Sequence, residues 1–341
     1  MGITELGISA GTAVWQYPQS KVGRARAMVV GFLEGCGAFE WVAFSYLGFS
    51  SFLLMLFWRN LPRAGRLLSI HFSFIAAVIG LVAAARRITL TGPGSTRWGR
   101  VVNAVRHWYP QAVFLFCFEE LGSLAHLIHK GWCDEWLLRF DHWLLGVQPA
   151  VYLAQIARPG LTDFMQMAYL SYFFFLTILA IALYRSGAHA PANGKPERFD
   201  FWAVMTSSMV AYAIGYVVAI LFPVESPYYS LAALHLPPLQ GGPFTWLSDL
   251  IEHFGRVHGG AFPSEHVAGS FVALLGAWRY RRWMFWMFLP FFVCMCASTV
   301  YVRNHYVADV FGGFITGAVG IWIGQRLMRL RGSCPGDARL A

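Results

Sequence analysis

Eight apolar stretches dominate this chain: 36–58, 67–85, 108–129, 164–184, 202–222, 264–280, 283–301 and 306–326. Each approaches the roughly 20 residues that a helix needs to cross the hydrocarbon core of a bilayer. Backbone placed in lipid must satisfy its own hydrogen bonds, so stretches of this length form helices there. The composition agrees, with 57% hydrophobic and only 13% charged residues in 341 and a mean hydropathy of +0.50, too apolar for an ordinary soluble domain. The expected fold is an all-α integral membrane protein with about eight transmembrane helices.

The net charge of +9 raises the question of a nucleic-acid partner, but the distribution of lysine and arginine answers it. With eight crossings, 18 of the 26 basic residues fall on the side holding both termini. The positive-inside bias then places both termini in the cytoplasm, with the bilayer and no nucleic acid as partner. Residues 1–27 hold Glu5, Lys21, Arg24 and Arg26 without a continuous apolar core or small-residue cleavage site, so a cleaved targeting segment is not expected. Leu6 stands where a myristoylation signal wants Ser or Thr. The six cysteines show no zinc spacing and read as small packing residues.

Two polar clusters interrupt the apolar background: Pro263-Ser264-Glu265-His266 and, 39 residues later, His305 with Asp309. The charge topology sends both to the non-cytoplasmic face. Pro263 suits the first turn of a helix, and Ser264 can cap its free N–H groups. Such an N-terminus favours an anion, with His266 held beside it. His305 and Asp309 are four apart at the start of the last span, hence expected on one helix face. A carboxylate on one imidazole nitrogen fixes the tautomer and leaves the other nitrogen able to attack phosphorus. Arg303 can supply charge to phosphate oxygens.

The spelling Pro263-Ser264-x-His266, followed by Ser298-x4-Arg303-x-His305-x3-Asp309, resembles the second and third motifs of the type 2 phosphatidic acid phosphatase superfamily. The run Ser298 to Tyr306 is most similar to its inositol phosphorylceramide synthase-like branch. Arg106-x-Trp108-Tyr109-Pro110, Asp141-x3-Leu145-Gly146 and Phe222-Pro223-x3-Pro227-Tyr228-Tyr229 are similar to stretches preceding the motifs there. The resemblance spans roughly 100–327. It implies a six-helix catalytic bundle, with His305 as nucleophile forming a phosphohistidine, Asp309 orienting it, and His266 protonating the leaving group. Arg303, Ser264, Ser298 and Tyr228 would bind the phosphate, and no metal or other cofactor is implied. The chain departs from the family pattern at Thr299, at Glu265 beside the acid histidine, and in lacking the first motif, for which 223–228 is the spatial stand-in.

The expected substrate is a lipid phosphate, and the expected activity is headgroup transfer of the inositolphosphate type. The alternatives are a lipid phosphate or polyprenyl diphosphate phosphatase and, from another class, a lipid-binding or transport protein on the same scaffold. Residues 1–100 are expected to add two spans, 101–330 to form the enzymatic domain and 331–341 a polar tail. Residues 133–160 read as amphipathic and interfacial, and 223–262 as a lid. Residues 89–105 and 186–200 read as cytoplasmic loops. Glu34 and Glu40 are expected to pair with arginines or face the bundle. Glu119, Glu120, His126 and His129 form an intramembrane ionisable set, with too few histidines for a di-metal centre. His253 and His258 read as structural, and the stripe Tyr169, Tyr172–Phe175 as helix packing, with Tyr172 able to line a cavity.

Overall fold

A computed structural model describes residues 29–33, 35–91, 96–186, 198–234 and 236–331. Glu34, the first 28 residues, most of the 186–200 linker, positions 92–95 of the 89–105 loop and the 332–341 tail lie outside these. The helices are α1 (Ala38–Leu56), α2 (Ala64–Thr91), α3 (Arg97–Leu124), α4 (Asp134–Leu145), α5 (Pro149–Ala154), α6 (Pro159–Leu170), α7 (Tyr172–Ser186), α8 (Phe199–Leu221), α9 (Pro227–Ser230), α10 (Pro243–Gly255), α11 (Glu265–Tyr280), α12 (Arg282–Tyr301) and α13 (Val307–Arg331), so that α2 and α3 take up 89–91 and 97–105 of the expected 89–105 loop. Among the described residues no strand occurs; Val224 and Gly260 form an isolated bridge.

Each of the eight apolar stretches is largely helical, 108–129 only as far as Leu124, and among the described residues six helices are long and apolar enough to cross a membrane. They are α1, α2, α6 with α7 as one crossing, α8, α12 and α13. The other two differ for physical reasons. With 16 residues, α11 is about 24 Å long, short of a hydrocarbon core of about 30 Å. Arg106, His107, Glu119 and Glu120 make the long α3 too polar. This is a multi-pass, all-helical membrane protein.

Association of helices in lipid depends on close packing, because lipid tails are as apolar as leucine. One face of α13 is built for it. A Cβ on Gly313 would lie 2.6 Å from the carbonyl oxygen of Ser264, one on Gly317 3.0 Å from that of Ala268, and one on Gly324 2.7 Å from the Cα of Ser207. Backbone therefore meets backbone, first along α11 and then along α8. At the centre of the bundle α8 buries most of its residues, including Phe201, Met205, Tyr216 and Ile220.

The first two spans dock through buried polar pairs. Arg106 donates from Nε to Glu40 Oε1 at 2.9 Å and from Nη2 to the Gly35 carbonyl at 2.6 Å. His71 Nε2 lies 2.6 Å from Glu120 Oε2, with Ser51 Oγ 2.9 Å from the other ring nitrogen. Both side chains are fully buried. Glu40 thus pairs with an arginine as its position suggests, while Glu120 serves α2 rather than a set with His126 and His129.

Removing one member of a buried pair costs about 3–5 kcal/mol, because the other is left uncompensated. His71→Ala should lower the thermal unfolding temperature in detergent, and His71→Leu with Glu120→Leu should recover most of that loss. Gly313→Ala should destabilise by about 1–3 kcal/mol through overpacking, read in the same melts; an unchanged melt would remove the close contact from the account.

Candidate active site

The last helix begins at Val307, so His305 stands in the turn before it rather than on its face. This corrects the expected geometry while keeping the pairing. Asp309 occupies the third helical position and reaches back, its Oδ2 accepting from the Tyr306 N–H at 2.8 Å, as the acidic member of a capping box does. The same oxygen lies 3.2 Å from His305 Nδ1. The Ala261 carbonyl is 2.9 Å from that nitrogen.

These contacts assign the protons. A carbonyl can only accept, so His305 Nδ1 carries the hydrogen and Nε2 presents its lone pair. His266 Nδ1 is 3.2 Å from that Nε2 and donates to it. The remaining nitrogen of His266 then accepts from Tyr169 O–H at 2.9 Å. Two imidazoles, a carboxylate and a phenol form one directed chain.

Two helix starts converge here. Ser264 caps α11, its Oγ accepting from Val267 N–H at 3.5 Å, and its own N–H donates to the Asp309 carbonyl at 3.0 Å. A third helix braces the junction. Asp141 on α4 accepts from the N–H groups of Val307 and Ala308, both at 2.9 Å, and so caps α13 from outside its own segment. Burial pushes the Asp141 carboxyl above its ordinary range, and those two N–H groups draw it back. Asp134 accepts from the N–H groups of Glu225 and Ser226 and from the Tyr306 hydroxyl at 2.7 Å. That grip holds Ser226 at φ 119°, a conformation costing about 1–3 kcal/mol in a residue other than glycine.

A cavity of about 110 Å³ opens on the two histidines. Arg256, Glu252, Glu225, Ser248 and Asn304 supply its polar wall, and Tyr169, Tyr172 and Ile251 its apolar one. Arg256 Nη1 is buried without a hydrogen-bond partner. Its guanidinium lies 3.9 Å over the Tyr228 ring and pairs with Glu252, which also accepts from Asn304 at 2.7 Å.

The structure brings His266, His305 and Asp309 together; the four other expected site residues stand around the cavity without lining it. Arg303, at φ 64°, turns its Nη2 to the Pro237 carbonyl at 2.9 Å. Ser298 donates to the Met295 carbonyl. Ser264 is engaged as a cap, and Tyr228 supports Arg256. His258 pairs with Glu225 at 2.7 Å.

Arg256 and Tyr169 are the residues that sequence reasoning passed over. Arg256 follows Glu252 by four at the end of the amphipathic α10, a signal for an ion pair but not for a cavity. Tyr169 sits in an aromatic stripe that reads as packing, and its histidine is 97 positions away.

A sequence profile described as PAP2 superfamily matches residues 135–323, more than half of the chain and a stretch holding both histidines, Asp309, Arg256 and Tyr169. No curated protein and no solved structure gives a significant match.

Asp141→Ala leaves two helix-start N–H groups without their acceptor, a loss of about 1–2 kcal/mol. Its melt should fall while Asp141→Asn, which keeps a carbonyl acceptor, falls less. Equal melts for the two variants would remove Asp141 as the cap of α13.

Proposed function

The chain belongs to the PAP2 superfamily, and we propose that within it the protein is a phospholipid headgroup transferase of the inositolphosphate type, working through a phosphohistidine. Membership supports lipid phosphatase or phosphotransferase chemistry on a lipid substrate. The finer reading rests on the make-up of the histidine cavity. One arginine suffices to meet a phosphate, yet here Glu225, Glu252 and Asn304 share the wall. Carboxylates are poor company for a bare phosphate and good acceptors for the hydroxyls of a polyol attached to it.

In the first half-reaction His305 Nε2 attacks phosphorus as the bond to the lipid oxygen breaks. His266 enters this step as the imidazolium, delivers a proton to that oxygen and is left neutral, and Tyr169 holds its ring in place. Asp309 and the Ala261 carbonyl keep His305 in the tautomer that leaves Nε2 unprotonated, its lone pair released for attack as His266 turns its N–H to the leaving oxygen, and they stabilise the cation formed. Arg256 meets the equatorial phosphate oxygens. Arg303, Ser264, Ser298 and Tyr228 act on the phosphate from behind, through the backbone they fix and the cation they support. In the second half-reaction an alcohol takes the group from His305. Counted over eight crossings, the excess of basic residues on the side holding both termini supports a site on the non-cytoplasmic face.

Purified protein given a long-chain lipid alcohol together with headgroup-labelled phosphatidylinositol, phosphatidic acid or polyprenyl diphosphate should yield a new labelled lipid from the first. Inorganic phosphate as the sole product would instead make the protein a phosphatase. His305→Ala should abolish turnover, and turnover that persists in this variant would remove the site from the chemistry. Arg256→Ala should raise KM about tenfold or more, the loss of a charge-assisted contact.

A further inference from the structure

A second cavity, of about 280 Å³, lies on the other side of His266. It runs into the bundle between α3, α7 and α8, and Phe118, Tyr172, Phe173, Glu265 and His266 line both cavities. Leu115 and Phe173 at its rim are 63% and 41% exposed on the outer faces of their helices. Both α3 and α7 pack on α8 and meet each other where His107 and Trp108 face Tyr184; beyond that contact the gap between them faces lipid in a bilayer.

An apolar slot facing lipid would by itself suit an acyl chain. This one also holds three buried polar atoms without hydrogen-bond partners: Gln111 Oε1, Ser208 Oγ and Glu265 Oε2. They belong to three helices and line one cavity. All three accept hydrogen bonds, and buried groups of this kind are costly unless something donates to them. Glu265 lies against Gly215, where a Cβ would sit 1.7 Å from its Oε1. Ser208 is seven residues earlier on α8, so the acceptors extend roughly 10 Å along the helix from the histidines.

We propose that this cavity is the alcohol subsite, and that its occupant is a long-chain lipid alcohol carrying at least one further hydroxyl or amine. This rests on the transfer reading of the histidine site. The alcohol leaving phosphorus and the alcohol that later attacks it both stand opposite His305 Nε2, so one subsite serves both in turn. On transfer, the lipid oxygen bonds to phosphorus, the bond from phosphorus to His305 breaks, and the hydroxyl proton passes to His266. Glu265, Ser208 and Gln111 receive the remaining donors, and the chain leaves between α3 and α7.

The test uses the full-length protein in nanodiscs, with a photoactivatable long-chain 1,2-diol and the matching dimethyl ether. The diol should crosslink to α3, α7 and α8 at positions such as Leu115, Leu176 and Met209, and the ether about tenfold less, having no donor for the three acceptors. Ser208→Leu and Gln111→Leu should bring the diol down toward the ether. Equal labelling by diol and ether on the unaltered protein, or diol labelling confined to other helices, would overturn the proposal. His305→Ala separates the two readings. Turnover lost in His305→Ala with equal diol and ether labelling would sink the subsite alone. Turnover that survives in His305→Ala, with the labelling contrast intact, would sink the chemistry at His305 and leave the cavity a site for lipid alcohols.

Discussion

Backbone contact between α13 and α11 fixes everything around it. His266 rides on the first turn of one helix and His305 immediately precedes the other, so their 3.2 Å separation is a property of how closely two helices approach. Gly313 and Gly317 permit that approach by placing no side chain between α13 and the carbonyls of Ser264 and Ala268. The link from Ser264 N–H to the Asp309 carbonyl then ties the two starts together. In lipid no hydrophobic driving force between helices compensates for a poor fit.

Buried carboxylates divide into those that hold structure and those that face a cavity. Glu40, Glu120, Asp134 and Asp141 each meet a cation, an imidazole or backbone N–H groups. These contacts repay much of the desolvation of a charge. Glu265, like Glu120, has an oxygen without a hydrogen-bond partner, but it differs from these four in lining both cavities. Its position between two cavities, beside a histidine, makes that difference chemical rather than structural.

Much of the architecture was legible in the chain. Length and hydropathy locate the helices because lipid allows the backbone few alternatives. His266, His305 and Asp309 were legible through their spacing, and helix-start chemistry marks Ser264. What was not legible lies in pairings across long separations. Nothing local ties Tyr169 to His266, His71 to Glu120 or Asp141 to Val307. The orientation of Arg303 escaped for a related reason, since its left-handed backbone sends the side chain toward Pro237 and leaves the cavity wall to Arg256. Glu265 reads in sequence as a charge beside a phosphate; in the fold it turns into the bundle against Gly215.

The external cap on α13 bears on how the molecule is made. Asp141 is synthesised 166 residues before Val307, so an acceptor for the last helix is in place before its first turn exists. His305 acquires its orienting carboxylate only when that turn closes. A nascent chain that stops short of the final helix therefore carries a membrane bundle with no assembled histidine pair. On the proposed chemistry, reactivity toward lipids would wait for the last crossing to be made.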